Sequence, residues 1–249
     1  MYGIMAKSYQ EHFNQRGTAY EQAMRSYPNA RAEEFQQVIT AAQLNSGMTV
    51  ADVPAGGGYL RRYLPNDCQW LGHEPCASFT HHHTNEASTQ PLLPLPWATA
   101  HIDAAISLAG VHHLDDKLPL FHELFRVLKP GARLVLSDVE EHSAVARFLD
   151  DYIGAHNSTG HEGVYLNAAT LTQLKSCGFH IINHQHCAFH WWFDSTNDMA
   201  HFSHKLFDLR TANLQHLEQA IHDYLGPPAL TTQQVGMPWA LTTITALKP

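Results

Sequence analysis

The stretch Val50-Ala51-Asp52-Val53-Pro54-Ala55-Gly56-Gly57-Gly58-Tyr59-Leu60 constrains this chain more than any other. A short apolar run ends in an acid and passes at once into three glycines, which predicts a buried strand opening onto a loop without side chains. Glycine admits φ > 0 and leaves no Cβ in the way of an approaching group. The segment from Tyr59 to Leu64 can begin a helix whose free N–H groups favour an anion. Strand, glycine loop and helix together make a candidate nucleotide site. Taken alone, the glycine run fits an ordinary turn equally well, because glycine is the commonest turn residue. Leu71-Gly72-His73-Glu74-Pro75 shifts the balance: a second short apolar strand ends in an acid 22 positions after Asp52. An acid about 20 residues on is where a ribose hydroxyl pair is held. The alternative is a solvated glutamate at a strand end, replaceable by alanine with little change in stability.

The rest of the chain alternates strand and helix. Tyr9, Phe13, Tyr20, Met24 and Tyr27 are scattered through a polar, helical and partly buried segment, residues 5–27. Ala32, Phe35, Val38, Ile39 and Ala42 recur at helical spacing before Asn45-Ser46-Gly47 stops them. This arm is either plain packing or a lid over a ligand. Pro91 to Trp97 is too proline-rich for a central strand or a helix. Ile102 to Leu108 is a buried strand, Leu118 to Leu128 an amphipathic helix closed by Lys129-Pro130-Gly131, and Ala132 to Val139 another strand. Such alternation means a parallel sheet with right-handed crossovers. Helices are expected over 142–155, after Asn167, after Ser195 and over 214–224, and strands over Phe179–Phe189 and Trp239–Leu247. No repeat or linker interrupts the 249 residues, so one domain is favoured over two.

Composition excludes several classes. The formal charge of −8 and the absence of any basic cluster beyond Arg61-Arg62 argue against nucleic acid or an anionic membrane as a partner. No run reaches the ~18 apolar residues of a membrane span, and the first residues lack a signal-peptide core, so a cytoplasmic protein is expected. Cys68, Cys76, Cys177 and Cys187 have no C-x-x-C spacing and are read as reduced thiols. Twenty histidines are unusual. His81-His82-His83 can bind a metal, and His184 and His186 share a strand face, but no partner Cys or H-E-x-x-H spacing supports a dedicated metal site, and none is expected.

Four motifs in order make the chain resemble the class I S-adenosylmethionine-dependent methyltransferases, in particular those acting on small molecules. Val50 to Leu60 is similar to the family's first motif, Glu74 to its ribose-binding acid, Ile102 to Ser107 to its fourth strand with Val111-His112-His113-Leu114 after it, and Arg126 to Leu136 to its helix-turn-strand. The resemblance covers residues 48–139 well and the flanks in outline. It implies a Rossmann-like α/β fold, a mostly parallel seven-stranded sheet flanked by helices with one antiparallel edge strand. A helical arm or lid (1–46), a cofactor-binding core (47–139) and substrate-side elements with the last strands (140–249) follow from it.

It also implies a cofactor, S-adenosylmethionine, with S-adenosylhomocysteine as product, and cofactor contacts from Asp52, Pro54, Ala55, Gly56, Gly58, Glu74, Pro75, Ser107, Leu108 and His112. Two features depart from the family's pattern. Pro54 stands where the first glycine is usual, and Ser88-Thr89-Gln90 replaces the acid beside the adenine, with Thr89 or Gln90 as the substitutes. A nicotinamide dinucleotide fits less well, since a dinucleotide loop needs a later glycine where Tyr59 stands. Methyl transfer needs alignment in an apolar pocket and a base only if the acceptor loses a proton. His112 and His113 are the candidate bases, and Tyr9, Tyr20, His161, Tyr165 and Trp191 the candidate contacts for a small-molecule methyl acceptor. The expected protein is a monomer or homodimer. A catalytically inactive cofactor-binding protein and a nicotinamide-dependent oxidoreductase are the competing readings.

Overall fold

The structure, a computed structural model, describes residues 9–80 and 90–249. Seven strands form one sheet: β1 (Thr49–Asp52), β2 (Gln69–Gly72), β3 (Ile102–Leu108), β4 (Leu128–Asp138), β5 (His180–Phe193), β6 (Ala229–Leu230) and β7 (Val235–Leu247). Their order is β2-β1-β3-β4-β7-β5, with the short β6 paired to β7. β2, β1, β3 and β4 run parallel, with Asp52 beside Gly72 on one side and Ile106 on the other. β7 runs antiparallel to both β4 and β5.

The antiparallel strand is therefore interior, not at the edge as the resemblance implied. Sequence explains the swap. β7 is buried along most of its length, whereas the polar first half of β5, His180 to His186, is largely exposed. A polar strand tolerates the unpaired side of a sheet edge, and an apolar one does not. β5 runs on to Phe193 and β7 starts at Val235, so both outrun their expected bounds. Pro238 is tolerated in β7 because β4 pairs only with Thr242–Leu247, which leaves no ladder bond for Pro238 to miss on that side.

Helices cover both faces of the sheet. The helix Leu118–Val127 buries Leu120, Phe121, Leu124 and Val127 against one side, each such side chain contributing roughly 1.5–3 kcal/mol through burial. Phe148, Ile153, Phe202 and Ile221 fill the other side from the C-terminal helices. The sequence signals for helix starts hold: Asn167 forms a capping box with Thr170, and Ser195 accepts from the Asp198 N–H. The expected helix over 142–155 is Ala144–His156, wound as a wider turn between Phe148 and Ile153. Among the described residues no helix is long and apolar enough to cross a membrane, and all four cysteines are free. The run His81-His82-His83 and Thr89 lie outside the described residues.

Two helices precede the sheet, α1 (Tyr9–Ser26) and α2 (Ala32–Ala42). α1 is polar overall, yet Tyr9, Phe13 and Met24 are buried. Phe13 packs on Phe79, just beyond β2, and on His113, just beyond β3. The arm thus lies across the ends of the parallel strands and roofs whatever is bound there.

Candidate functional site

In a parallel sheet the loops at the C-terminal strand ends share one edge, and there ligands bind. Here that edge carries Pro54 to Gly58 after β1, His73 and Glu74 after β2, Ala109 to His113 after β3, and Asp138 at the end of β4. Gly56 and Gly58 take φ of +51° and +71°, the left-handed region that side chains resist. A Cβ on Gly56 would meet nothing within 4 Å, because it would project into a cleft of about 530 Å³.

Pro54 has a structural counterpart at Gly110. A Cβ at Gly110 would sit 2.6 Å from the Pro54 ring, so the residue that breaks the family's glycine pattern is accommodated by a glycine on the neighbouring loop. Gly110→Ala should therefore cost roughly 1–3 kcal/mol of stability, as overpacking generally does. Adding Pro54→Gly should recover most of it. Denaturant titration of the single and double variants tests this, and additive losses would rule out the contact as the cause.

Glu74 is 6% exposed, not a solvated strand end. Its carboxylate accepts from the Gly56 N–H at 2.7 Å, the Cys76 N–H at 2.8 Å and the Tyr9 hydroxyl at 2.9 Å. Burial raises its pKa and these bonds oppose the rise. Asp52 is buried deeper, and burial with neighbouring Glu74 lifts its carboxyl well above the usual range, against the bond from Trp70 Nε1 at 3.1 Å. Alanine at 74 leaves three donors without an acceptor, so the expectation of an unchanged stability does not hold.

A second cleft of about 530 Å³ lies next to the first, lined by His112, His113, His161, Trp191 and Arg16 among others. Phe13, Tyr20, Arg31 and Ala109 line both clefts. Arg31 is fixed at that junction: it forms a two-pronged ion pair with Glu34 at 2.8 and 2.5 Å and donates to the Tyr20 hydroxyl. Glu34 also accepts from Trp191 Nε1 at 2.8 Å. This charge is neutralised where it stands.

The histidines are oriented by acids. Nδ1 of His112 lies 2.6 Å from Asp138, and Nδ1 of His161 lies 2.9 Å from Asp150. Burial raises the carboxyl of Asp138, but the His112 ring and backbone N–H groups more than offset it, holding it below its ordinary range. For Asp150 burial again raises, and His161 and Tyr165 outweigh it. Both acids therefore accept from the Nδ1 of their ring, and for His161, whose imidazole burial keeps neutral, this leaves Nε2 with the lone pair. Burial pushes His161 down to about 4 despite Asp150, so its imidazole is neutral at neutral pH.

Arg16 is the opposite case. It is 4% exposed, and its Nε and Nη1 have no hydrogen-bond partner. Burial lowers its pKa to about 10, opposed by Asp208, which leaves it charged at neutral pH. Asp208 is itself engaged by Ser158 and Arg210. The second cleft thus carries one guanidinium that the described protein does not pair.

Of the residues singled out from sequence, Asp52, Pro54, Ala55, Gly56, Leu108, Tyr9 and Tyr20 line the first cleft, and His112, His113, His161 and Trp191 the second. Gly58 turns the chain into the short helix Tyr59–Tyr63. Glu74 and buried Pro75 back the first cleft, and Tyr165 backs the second through its bond to Asp150 at 2.5 Å. Ser107 is buried with its hydroxyl unpartnered and lines neither cleft, and Gln90 is exposed and lines neither. Sequence reasoning missed Arg16 and Asp138. A signal existed for both: Phe13, Arg16 and Tyr20 share one face of α1 by their spacing, so a cation interrupts an aromatic stripe. Asp138 ends a strand just as Asp52 does.

Comparison with known proteins bears on the family and the fold. Residues 51–136 match the methyltransferase domain family. Over 96 residues, 36% of the chain, it is 33% identical to the O-methyltransferase resE of Aspergillus sclerotiorum, a match spanning about a third (34%) of that relative's length. Among solved structures it resembles an S-adenosylmethionine-dependent methyltransferase of Thermotoga maritima, with a TM-score of 0.63 at 14% identity, covering 97% of this chain and all of that one. It also resembles a phosphoethanolamine N-methyltransferase of Haemonchus contortus bound to S-adenosylhomocysteine, with a TM-score of 0.60 at 13% identity over 98% of this chain and 60% of that one. The [4+2]-cyclase SpnF gives a TM-score of 0.59 at 16% identity over 98% and 97%. At such identities these likenesses establish the fold.

Proposed function

We propose that this chain, whose residues 51–136 match the methyltransferase domain family, is a class I S-adenosylmethionine-dependent methyltransferase that moves the methyl group onto a small-molecule acceptor bound in the histidine-lined cleft. The observation that carries this reading is the junction of the two clefts at Phe13, Tyr20, Arg31 and Ala109. A methyl donor in one faces an acceptor in the other.

The first cleft fits the cofactor on its own features. The left-handed backbone at Gly56 leaves open space where any side chain would stand, and the Glu74 carboxylate ends beside it. Glu74 would hold the ribose diol, displacing the Tyr9 hydroxyl that it now accepts from. Leu108 and Pro54 would pack on the cofactor's apolar parts. When bound, the sulfonium supplies an activated methyl group, which leaves sulfur as the C–S electron pair passes to it.

This chain's residues would align and deprotonate the acceptor. The acceptor's lone pair forms the new bond, and its proton leaves toward the histidine cluster, where Asp138 holds the His112 ring through Nδ1. His113, half-buried and 4.0 Å from His112 between ring centres, shares the cleft with it. Arg16 would receive an acidic group of the acceptor. Trp191, stacked 4.2 Å from Trp239, offers an apolar wall.

Calorimetry tests the cofactor. We expect saturable binding of S-adenosylhomocysteine and none of NADH; the reverse result would return the oxidoreductase reading. Glu74→Gln should weaken S-adenosylhomocysteine about 10-fold, and Glu74→Ala roughly 10- to 100-fold, the loss of one or two charged hydrogen bonds. Both should also lower the melting temperature of the free protein. Affinity within twofold of the parent in folded Glu74→Ala would remove Glu74 from the site. Saturable binding with no turnover against acidic acceptors would favour the inactive binding protein.

A further inference from the structure

We propose that His112, His113 and His161 form a three-imidazole site for a divalent transition-metal ion of the zinc type in the second cleft. One ring nitrogen from each lies within 4.8 Å of the other two. The ring centres are 4.0 Å (His112–His113), 5.4 Å (His113–His161) and 5.6 Å (His112–His161) apart. Three nitrogens each about 2.0–2.1 Å from a tetrahedral zinc lie ~3.4 Å from one another. Side-chain rotations of about an ångström close that gap.

The surroundings select a metal over a plain hydrogen-bonded cluster. His112 and His161 each turn Nδ1 to a carboxylate, Asp138 and Asp150, which leaves Nε2 of each ring outside that bond and open to a ligand role. Ring nitrogens gathered this closely can share one cation. A carboxylate behind a histidine is also how metal-ligating rings are oriented and made more basic. His112 and His161 each have one here, and Asp150 is itself held by Tyr165 and the Gly163 N–H. The two carboxylates offset the charge of one divalent ion. Asp138 is fully buried, so its charge is not screened by water.

Ligand chemistry narrows the metal. Three imidazole ligands suit Zn²⁺, Co²⁺, Ni²⁺ or Fe²⁺ and are poor for Mg²⁺ or Ca²⁺, which take oxygen. Three protein ligands leave a fourth position, and the cleft in front of the rings is where an acceptor oxygen or nitrogen would take it. Coordination there would lower the acceptor's pKa and replace the proton-accepting role of the histidines by that of a Lewis acid. The metal site stands on the histidine geometry alone; its role toward the acceptor rests on the methyl-transfer reading.

The test uses the full chain, stripped with a chelator and titrated with CoCl₂ and ZnCl₂. We expect one ion per chain bound with submicromolar affinity, and an intense visible Co²⁺ band of the four- or five-coordinate kind. His113→Ala and His161→Gln should each abolish the band and weaken binding by at least 100-fold. A variant with His81, His82 and His83 all changed to serine should keep both. S-adenosylhomocysteine affinity, measured on every variant, reports folding and keeps the cofactor question separate. The proposal is overturned if the parent binds no ion with that band, or if the band survives in folded His113→Ala and disappears with the His81–His83 change.

Discussion

Gly56→Val should lower S-adenosylhomocysteine affinity by more than 100-fold while leaving a folded protein. Two effects act at this position and they can be separated. The first is backbone strain. Gly56 has φ of +51°, where a β-branched residue costs on the order of 1–2 kcal/mol or more, so the melting temperature should fall. The second is occlusion, because the Cβ points into open space that the proposed cofactor would fill. In the empty protein that direction is free of clashes, so nothing else in the fold opposes the side chain. Gly56→Asn accepts the left-handed backbone far better and still fills the space. We therefore expect it to recover stability without recovering binding. Should Gly56→Val bind S-adenosylhomocysteine within threefold of the parent, the ligand lies elsewhere and the strand-loop-helix reading fails with it.

Much of this site was readable before the fold was, and the reason is local. The acid at the end of β1, the glycines and Glu74 occupy one short span, and the fold they imply needs only the order of the elements. The same is true of the caps at Asn167 and Ser195, which act within four residues. What stayed hidden depends on distance along the chain. Asp138 meets His112 across 26 positions, and His161 joins His112 from a loop 49 positions on. Metal-ligand spacing rules see close pairs such as H-x-x-x-H and are blind to three rings gathered from two loops. For Glu74 the sequence left a solvated strand end open as the alternative to a ribose-binding acid, and burial removes that alternative. One of the three donors to it, the Tyr9 hydroxyl, comes from the arm, 65 positions away in the chain. The position of β7 was misjudged because its place between β4 and β5 is a matter of which strand can bear an open edge, and that contest is between segments some 50 residues apart.

Fold likeness alone leaves the chemistry open, since the same architecture serves a [4+2]-cyclase as well as methyltransferases. The side chains of the second cleft must decide the acceptor. Arg16 is the residue with the most to say, because a buried guanidinium whose Nε and Nη1 find no hydrogen-bond partner among the described residues is a cost to folding that function has to justify. Replacing it by methionine, which fills similar volume without charge, is expected to raise the stability of the unliganded protein by about 1–3 kcal/mol. The same change removes two donors, Nε and Nη1, that an acidic acceptor would take. Charged hydrogen bonds contribute roughly 1.5–3 kcal/mol each, so such an acceptor should bind on the order of 100- to 10,000-fold more weakly. A thermal-shift panel of small carboxylic acids, phosphate esters and amines, run with saturating S-adenosylhomocysteine, measures both effects together. Acids should raise the melting temperature of the parent and fail to do so in Arg16→Met, while amines do neither. A variant less stable than the parent would mean that Arg16 is paired and structural. Amines that stabilise both proteins alike would mean that the acceptor is a base and that the guanidinium does not select it.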